Sequence, residues 1–244
     1  MKIKMIGLSI ALLLFHGCSA TDSDNIKTKG IYANYQLKLL NNNRTFITTA
    51  LQSGGSTGTY LDLTSDDVLK VEVDKEEKTL KRDRTILNQI YYENTIETNT
   101  YNKEVKIIFI REESNEKLIS SVTLPSKLTI NSPQQNDTVS STDRLGIDWD
   151  KPKDNNTRIN IDILISCKKD RDTTVLISDN FNDLSDNGKY SINLSSILDE
   201  DFEQYRNCEG TIHIRRYKRG TIDSHFVGGI IEAFHSKSIM VNIK

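Results

Sequence analysis

The sequence predicts an all-β protein: two antiparallel β-sandwich domains behind a short apolar leader. Three observations predict it. Short runs alternate apolar and polar residues with period two, the pattern of strands with one face in a core and one in water. Clusters of Gly, Asn, Asp, Ser and Thr break those runs at strand length. Only 3 prolines occur among 244 residues, and abundant Asn, Thr and Ser with little Ala disfavour long helices.

The leader comes first. Lys2 and Lys4 precede an apolar run from Met5 to Phe15. A run of about 11 residues is too short to cross a bilayer, which needs roughly 20 in a helix. It fits the h-region of a signal peptide. The run stops at "FHGCSA", with Gly17 directly before Cys18. This resembles a bacterial lipobox. The resemblance implies that residues 1–17 are a signal peptide and that Cys18 is lipidated and becomes the mature N-terminus. Phe15 and His16 stand where Leu and a small residue are commoner. Each buried CH₂ contributes about 0.8 kcal/mol, so one chain anchors marginally and several hold firmly. Ser19 follows the Cys, not Asp; by resemblance to Gram-negative lipoproteins, that implies the outer membrane. The expected face is the periplasm, with the cell surface as the alternative. Residues 18–29, "CSATDSDNIKTK", read as a polar tether.

The N-terminal domain is expected over residues 30–125. "YANYQLKLL" places Ala33, Tyr35, Leu37 and Leu39 on one face. "TYLDLT" does so with Leu61 and Leu63, "VLKVEV" with Leu69, Val71 and Val73, and "EVKIIFIRE" with Val105, Ile107 and Phe109. "SGGSTG", "TSDD" and "TYNK" separate such runs. About eight strands at this spacing suit a sandwich or barrel. "SGGSTG" precedes a strand and so lacks the helix N-terminus that phosphate binding exploits.

The pattern resets at "TLPSKLTINSPQQNDTVSS", where Pro125 and Pro133 interrupt any continuous central strand. The C-terminal domain is expected over residues 126–244. "KLTINSP" and "DTVSS" form a split first strand. "RLGIDWD" aligns Leu145, Ile147 and Trp149, so Trp149 reads as core rather than as a sugar platform. "RINIDILISC" aligns Ile159, Ile161, Ile163 and Ile165. "TTVLISD", "GKYSINL", "CEGTIHIRRY" and "SIMVNI" complete the set, and "ILDEDFEQYR" holds one short helical turn. "DNGKYSINL" resembles the Asp-x-Gly-x-Tyr corner of immunoglobulin-like domains, with Gly188 free to adopt φ > 0 and Tyr190 positioned to bond back to the corner. The second sandwich is therefore expected to be immunoglobulin-like.

Longer stretches carry a second resemblance. "CEGTIHIRRYKRGTIDSHFVGGIIEAFHSKSIMVNI" has Cys208, Arg216, Gly220, Asp223, Phe226, Gly228 and Gly229 at the positions of a C-terminal signature. It resembles that of a group of uncharacterised proteobacterial outer-membrane lipoproteins with two β-sandwich domains. "GGSTGTYLDLTSDD" and "VTLPSKLTINSP" resemble the same group. The resemblance covers most of the mature chain and implies no activity.

Candidate chemistry is sparse. Cys167 and Cys208 form an even pair in an oxidising compartment and read as a disulfide between two strands. Gly228 and Gly229 are expected in an irregular segment near that strand pair. His213, His225 and His235 lie within 22 residues of one another. They lack the His-x-x-x-His spacing that pre-places zinc ligands, so no metal or other cofactor is expected. "DWDKPKDNN" (Asp148, Asp150, Asp154, Asn155) and "DLSDNG" (Asp183, Ser185, Asn187, Gly188) suggest calcium, but turn chemistry explains them. "RRYKR" at 215–219 reads as a solvated strand end. The segment from Gly220 to Phe234 reads as a structural wrap around a sandwich edge. Its alternative is a ligand loop with Arg216, Asp223 and His225 at its mouth. Without the leader's two lysines, 30 basic residues face 34 acidic ones, which does not favour nucleic acid. No Gly-x-Ser-x-Gly elbow appears. The expectation is a non-enzymatic binding or scaffold module of the cell envelope, attached to the membrane by its lipid, with an envelope protein or glycan as partner. A glycan-binding or adhesin-like protein and an envelope hydrolase are the alternatives.

Overall fold

A computed structural model describes residues 20–64, 66–98, 101–152, 156–169, 173–198 and 202–244. The leader, Cys18, and Asp154 and Asn155 lie outside the described residues. Among the described residues, eighteen strands follow one another, with short 3-10 turns between some of them. They are β1 (Thr21–Asp22), β2 (Ile31–Leu39), β3 (Arg44–Ser53), β4 (Leu61–Asp62), β5 (Val68–Val73) and β6 (Glu76–Thr79). Then come β7 (Lys81–Arg84), β8 (Ile90–Glu97), β9 (Glu104–Arg111), β10 (Glu116–Thr123), β11 (Ile130–Ser132) and β12 (Asp137–Val139). The rest are β13 (Arg144–Trp149), β14 (Arg158–Lys168), β15 (Thr174–Ser185), β16 (Lys189–Asn193), β17 (Arg206–Arg219) and β18 (Gly228–Ile243).

The alternating residues go where the period sends them. Ala33, Tyr35, Leu37 and Leu39 of β2 are buried, with Val105, Ile107 and Phe109 of β9 facing them in one core. Leu145, Ile147 and Trp149 of β13 and Ile159, Ile161, Ile163 and Ile165 of β14 form a second core. The split first strand is present as β11 and β12, and Phe202–Gln204 is the short helical turn.

The first sandwich sets the sheet β10-β9-β5-β6 against β18-β2-β3-β8-β7. The second sets β11-β13-β16 against β15-β14-β17-β18. One nine-stranded sheet therefore runs through both. Its continuity comes from β18. Residues 228–234 pair in parallel with 32–38 of β2, and Val241–Ile243 pair in parallel with β12. Strand β17 runs antiparallel beside β18 from Cys208↔Ile243 to Arg219↔Glu232.

Three expectations change here. The C-terminal chain completes the first sandwich: Phe226, Ile231 and Ala233 belong to the first core, and Phe226 stacks on Phe109 at 6.4 Å. A chain cut near Pro125 would leave that core without one sheet neighbour of β2. Gly228 and Gly229 open a regular strand rather than an irregular segment, and they lie at the opposite end of β18 from the partner of Cys208. Gly229 is required for closeness: a Cβ there would stand 2.3 Å from the Ala33 carbonyl oxygen. The polar tether is folded from Thr21 onward. β1 pairs with β4, Ser23 is wholly buried, and the buried Arg111 donates to the Ser23 carbonyl (2.9 Å) and the Thr28 hydroxyl (2.8 Å). Polar composition read as linker because its partner lies more than 80 residues away.

Cys167 and Cys208 are bonded, with sulfurs 2.08 Å and Cα atoms 4.1 Å apart, tying β14 to β17. Gly188 takes φ +91° at the predicted corner. Tyr190 does not bond back there; its ring packs on Phe181 at 5.3 Å.

Candidate functional site

Arg216, Asp223 and His225 do not converge. Strand β17 alternates, so Arg215 and Arg216 face opposite ways, and Arg216 turns inward where the two sandwiches meet. It is fully buried. Its Nε donates to Asp186 Oδ2 (2.7 Å) and its Nη2 to Asp186 Oδ1 (3.3 Å). Nη1 donates to the Lys127 carbonyl (2.7 Å) and Ser126 Oγ (3.3 Å), and Nη2 also donates to the Asp150 carbonyl. Asp186 accepts two further bonds, from Trp149 Nε1 (2.7 Å) and Thr157 Oγ1 (2.8 Å). A buried carboxylate with this many donors is satisfied, and so is the guanidinium. The knot ties the connection at 126–127 to β13, to the turn after β15 and to β17. Trp149 is core with a bonded polar tip, as an indole requires when buried.

In the rest of "RRYKR", Arg215 and Tyr217 are engaged while Arg219 at the end is exposed. Arg215 stacks on Phe234 (3.8 Å) and pairs with Glu232. Tyr217 is buried and donates to Asp183 Oδ1 (2.7 Å). Burial raises its phenol to about 12, with the Asp183 bond adding to it.

Asp223 fastens the segment between β17 and β18 to β10. Its Oδ2 accepts from the Ile119 N–H (2.8 Å), and its own N–H donates to Ser120 Oγ (3.0 Å). Oδ1 accepts from the His225 N–H (3.0 Å) and lies 2.7 Å from His225 Nδ1. Burial alone would raise this carboxyl, but the His225 and Ile119 donors outweigh it and hold it below the usual carboxylate range. Thr221 pairs with Ser121 of β10 through two backbone bonds. The segment therefore spans the open edge of the first sandwich, from β10 across to β2.

His225 is exposed and borders a groove of about 630 Å³ with Thr28, Arg111, Ser114 and Glu116. The hydroxyls of Thr28 and Ser114 both donate to Glu116 and hold its carboxyl below its ordinary value. Those hydroxyls are thus committed to a carboxylate rather than poised against His225. His213 bonds Ser238 Oγ at 2.9 Å. His235 is buried, and its Nδ1 accepts from the Leu128 N–H (3.1 Å). Among the described residues, no three His, Cys, Asp or Glu side chains gather closely enough to hold a metal. Of the described calcium candidates, Asp150 accepts from the distant Thr129 N–H (2.6 Å), and Asn187 accepts from the Lys189 N–H within its turn (3.1 Å).

Burial, reinforced by Lys237, Lys127 and Arg216, lowers the His235 pKa from 6.5 to about 4. Between those values the unfolded chain binds a proton that the folded chain refuses. Stability should therefore rise with pH across this window, and this contribution is lost as pH falls through it. His235→Phe should flatten that slope in urea titrations; an unchanged slope would assign it to other groups.

Sequence reading missed two further features. Phe46, Tyr60 and Tyr91 border a shallow groove of about 390 Å³ beside Asn34, Gln36 and Glu93 on the outer face of the first sandwich. Ile86 and Leu87 stand out from the turn between β7 and β8. The signal for the second was two adjacent aliphatics inside a turn sequence, "RTILNQ".

A three-stranded sheet facing a four-stranded one, with a split first strand joining the last strand, defines the class: an antiparallel, immunoglobulin-like β-sandwich. Solved structures similar to this chain include Clostridium thermocellum CbhA fibronectin(III)-like modules (12% identity, 87% of this chain and 90% of that one, TM-score 0.24). They also include titin A168–A169 (8%, 86% and 96%, 0.25) and the chicken CNTN1 FN1–FN3 domains (13%, 86% and 64%, 0.20). At these scores the class rests on the strand order itself. No protein-family model and no curated protein matches the chain.

Proposed function

We propose that this chain is a lipid-anchored, non-enzymatic binding or scaffold module of the bacterial cell envelope, held at the outer membrane through Cys18 and facing the periplasm. The observation that carries the reading is the joint. β18 passes through both sandwiches, and the buried Arg216–Asp186 knot on its neighbour β17 braces their meeting. A body with a braced joint holds its surfaces at a fixed distance and angle from its attachment point, which suits presentation of partners. Of the residues of the expected ligand loop, Arg216 serves this bracing and Asp223 fastens the segment after β17 to β10. Fractionation of a Gram-negative host tests the anchor. The wild-type chain should carry an acyl adduct by mass and co-sediment with outer membranes, and Cys18→Ala should abolish both. A wild-type chain free of adduct in the soluble fraction defeats the reading.

The aromatic groove favours one second reading, a glycan binder. Half-buried rings beside amides and a carboxylate combine apolar contact with directional hydrogen bonding, as sugar recognition requires. Retention on envelope glycans that Tyr91→Ala removes would favour it over the scaffold.

A further inference from the structure

We infer that the turn between β7 and β8 inserts Ile86 and Leu87 into the same bilayer that holds the lipid of Cys18; the inference rests on the anchor proposed above. Both side chains are large and aliphatic, and they are 103% and 73% exposed. Their turn is firmly built. The Thr85 N–H donates to the Gln89 carbonyl and the Asn88 N–H to the Thr85 carbonyl, each at 2.9 Å, and Arg84 Nη1 donates to Asn88 Oδ1 at 2.6 Å. The aliphatic pair is thus presented to the outside by a rigid turn rather than by a loose end. Exposed aliphatics gathered at one tip mark a surface that is covered in use.

The place of the chain's beginning identifies what covers it. β1 pairs with β4 in the register Asp22↔Asp62. Asp62 receives a two-pronged contact from Arg82, both bonds at 2.5 Å, and Arg84 lies 3.7 Å away. This ion pair joins β4, the strand paired with the start of the folded chain, to the base of the hairpin. Cys18 precedes Thr21 by three residues, at most about 11 Å of extended chain. Ile86 follows Arg84 by two. Acyl chains attached at Cys18 would bring a bilayer surface within reach of the tip, and the tether would keep it there at high effective concentration. Arg82 and Arg84 stand behind the apolar pair, at the depth where guanidinium groups meet lipid headgroups. Asp62 and Asp83 offset much of their charge, so the contact depends on apolar insertion rather than on anionic lipid.

The test is depth-dependent quenching in vesicles of phosphatidylethanolamine and phosphatidylglycerol containing brominated acyl chains. The full chain, produced in an acylating host, carries Leu87→Trp. Its native Trp149 is buried in the second core and serves as an internal reference. Leu176→Trp, at an exposed position on β15, is the control. The L87W indole should lose emission about twofold, because an interfacial apolar element lies roughly 5–10 Å into the headgroup–acyl boundary. The L176W indole should not. An L87W indole that stays unquenched overturns the inference whether or not mass spectrometry finds the acyl chains. Missing acyl chains with a quenched L87W indole overturn only the anchor.

Discussion

Arg216→Met is expected to lower the unfolding free energy by about 3–5 kcal/mol, the range for removing one partner of a buried ion pair. The guanidinium is fully buried, and the Asp186 side chain is 2% exposed. Loss of Arg216 leaves that carboxylate with the Trp149 and Thr157 donors among the described residues and takes a donor from the Lys127 and Asp150 carbonyls. Arg216→Lys should recover less than half of the loss. It keeps the charge but cannot supply donors in three directions from one planar group. In the Arg216→Met background, Asp186→Asn should cost much less than it does alone, because the charge it removes is already unpaired. Urea unfolding of the four proteins measures the cycle. A loss below about 1 kcal/mol for Arg216→Met would mean that the knot is no more valuable than a surface pair.

Opening the Cys167–Cys208 bond, by a double substitution to Ala, should cost about 4 kcal/mol. The two residues are 41 apart in sequence, and chain-entropy loss on closing a loop of that size sets the figure. Both side chains are buried in the second core, so the loss of packing there should add to it. The effect should appear in the second sandwich first. Emission of the buried Trp149 reports that core directly, and its unfolding midpoint should fall while the spectrum of the folded state stays the same. An unchanged midpoint would show that the loop is already constrained without the bond, by the pairing of β14 with β17 on either side of it.

The elements that sequence reading recovered are those whose cause is local. Period-two alternation places Leu37 or Ile163 in a core whatever strand lies beside it, because a strand's side chains alternate by geometry. Gly188 at a turn and an even pair of cysteines are local or compositional signals too. The site residues were less legible. "RRYKR" contains five residues of similar polarity, and nothing within it distinguishes Arg216, which is buried, from Arg219, which is exposed. The difference comes from Asp186, Ser126 and Lys127, between 30 and 90 residues upstream. Asp223 and His225 were recognised as a pair, but their purpose depends on the Ile119 N–H and on Ser120 of a distant strand.

The sequence by itself determined that this chain is all-β, which face of its alternating runs is apolar, and that its two internal cysteines have each other as partners. Only the tertiary structure decided how the strands are shared. β18 belongs to both sandwiches, Phe226, Ile231 and Ala233 fill a core built mainly by residues 31–124, and the polar stretch after Thr21 is folded rather than free. The physical reason is that alternation specifies a face but no partner. Backbone hydrogen bonds between strands are the same for every sequence. Which strands meet is chosen by the sum of contacts far apart along the chain, such as the close approach of Gly229 to Ala33 and the four segments gathered by the single guanidinium of Arg216.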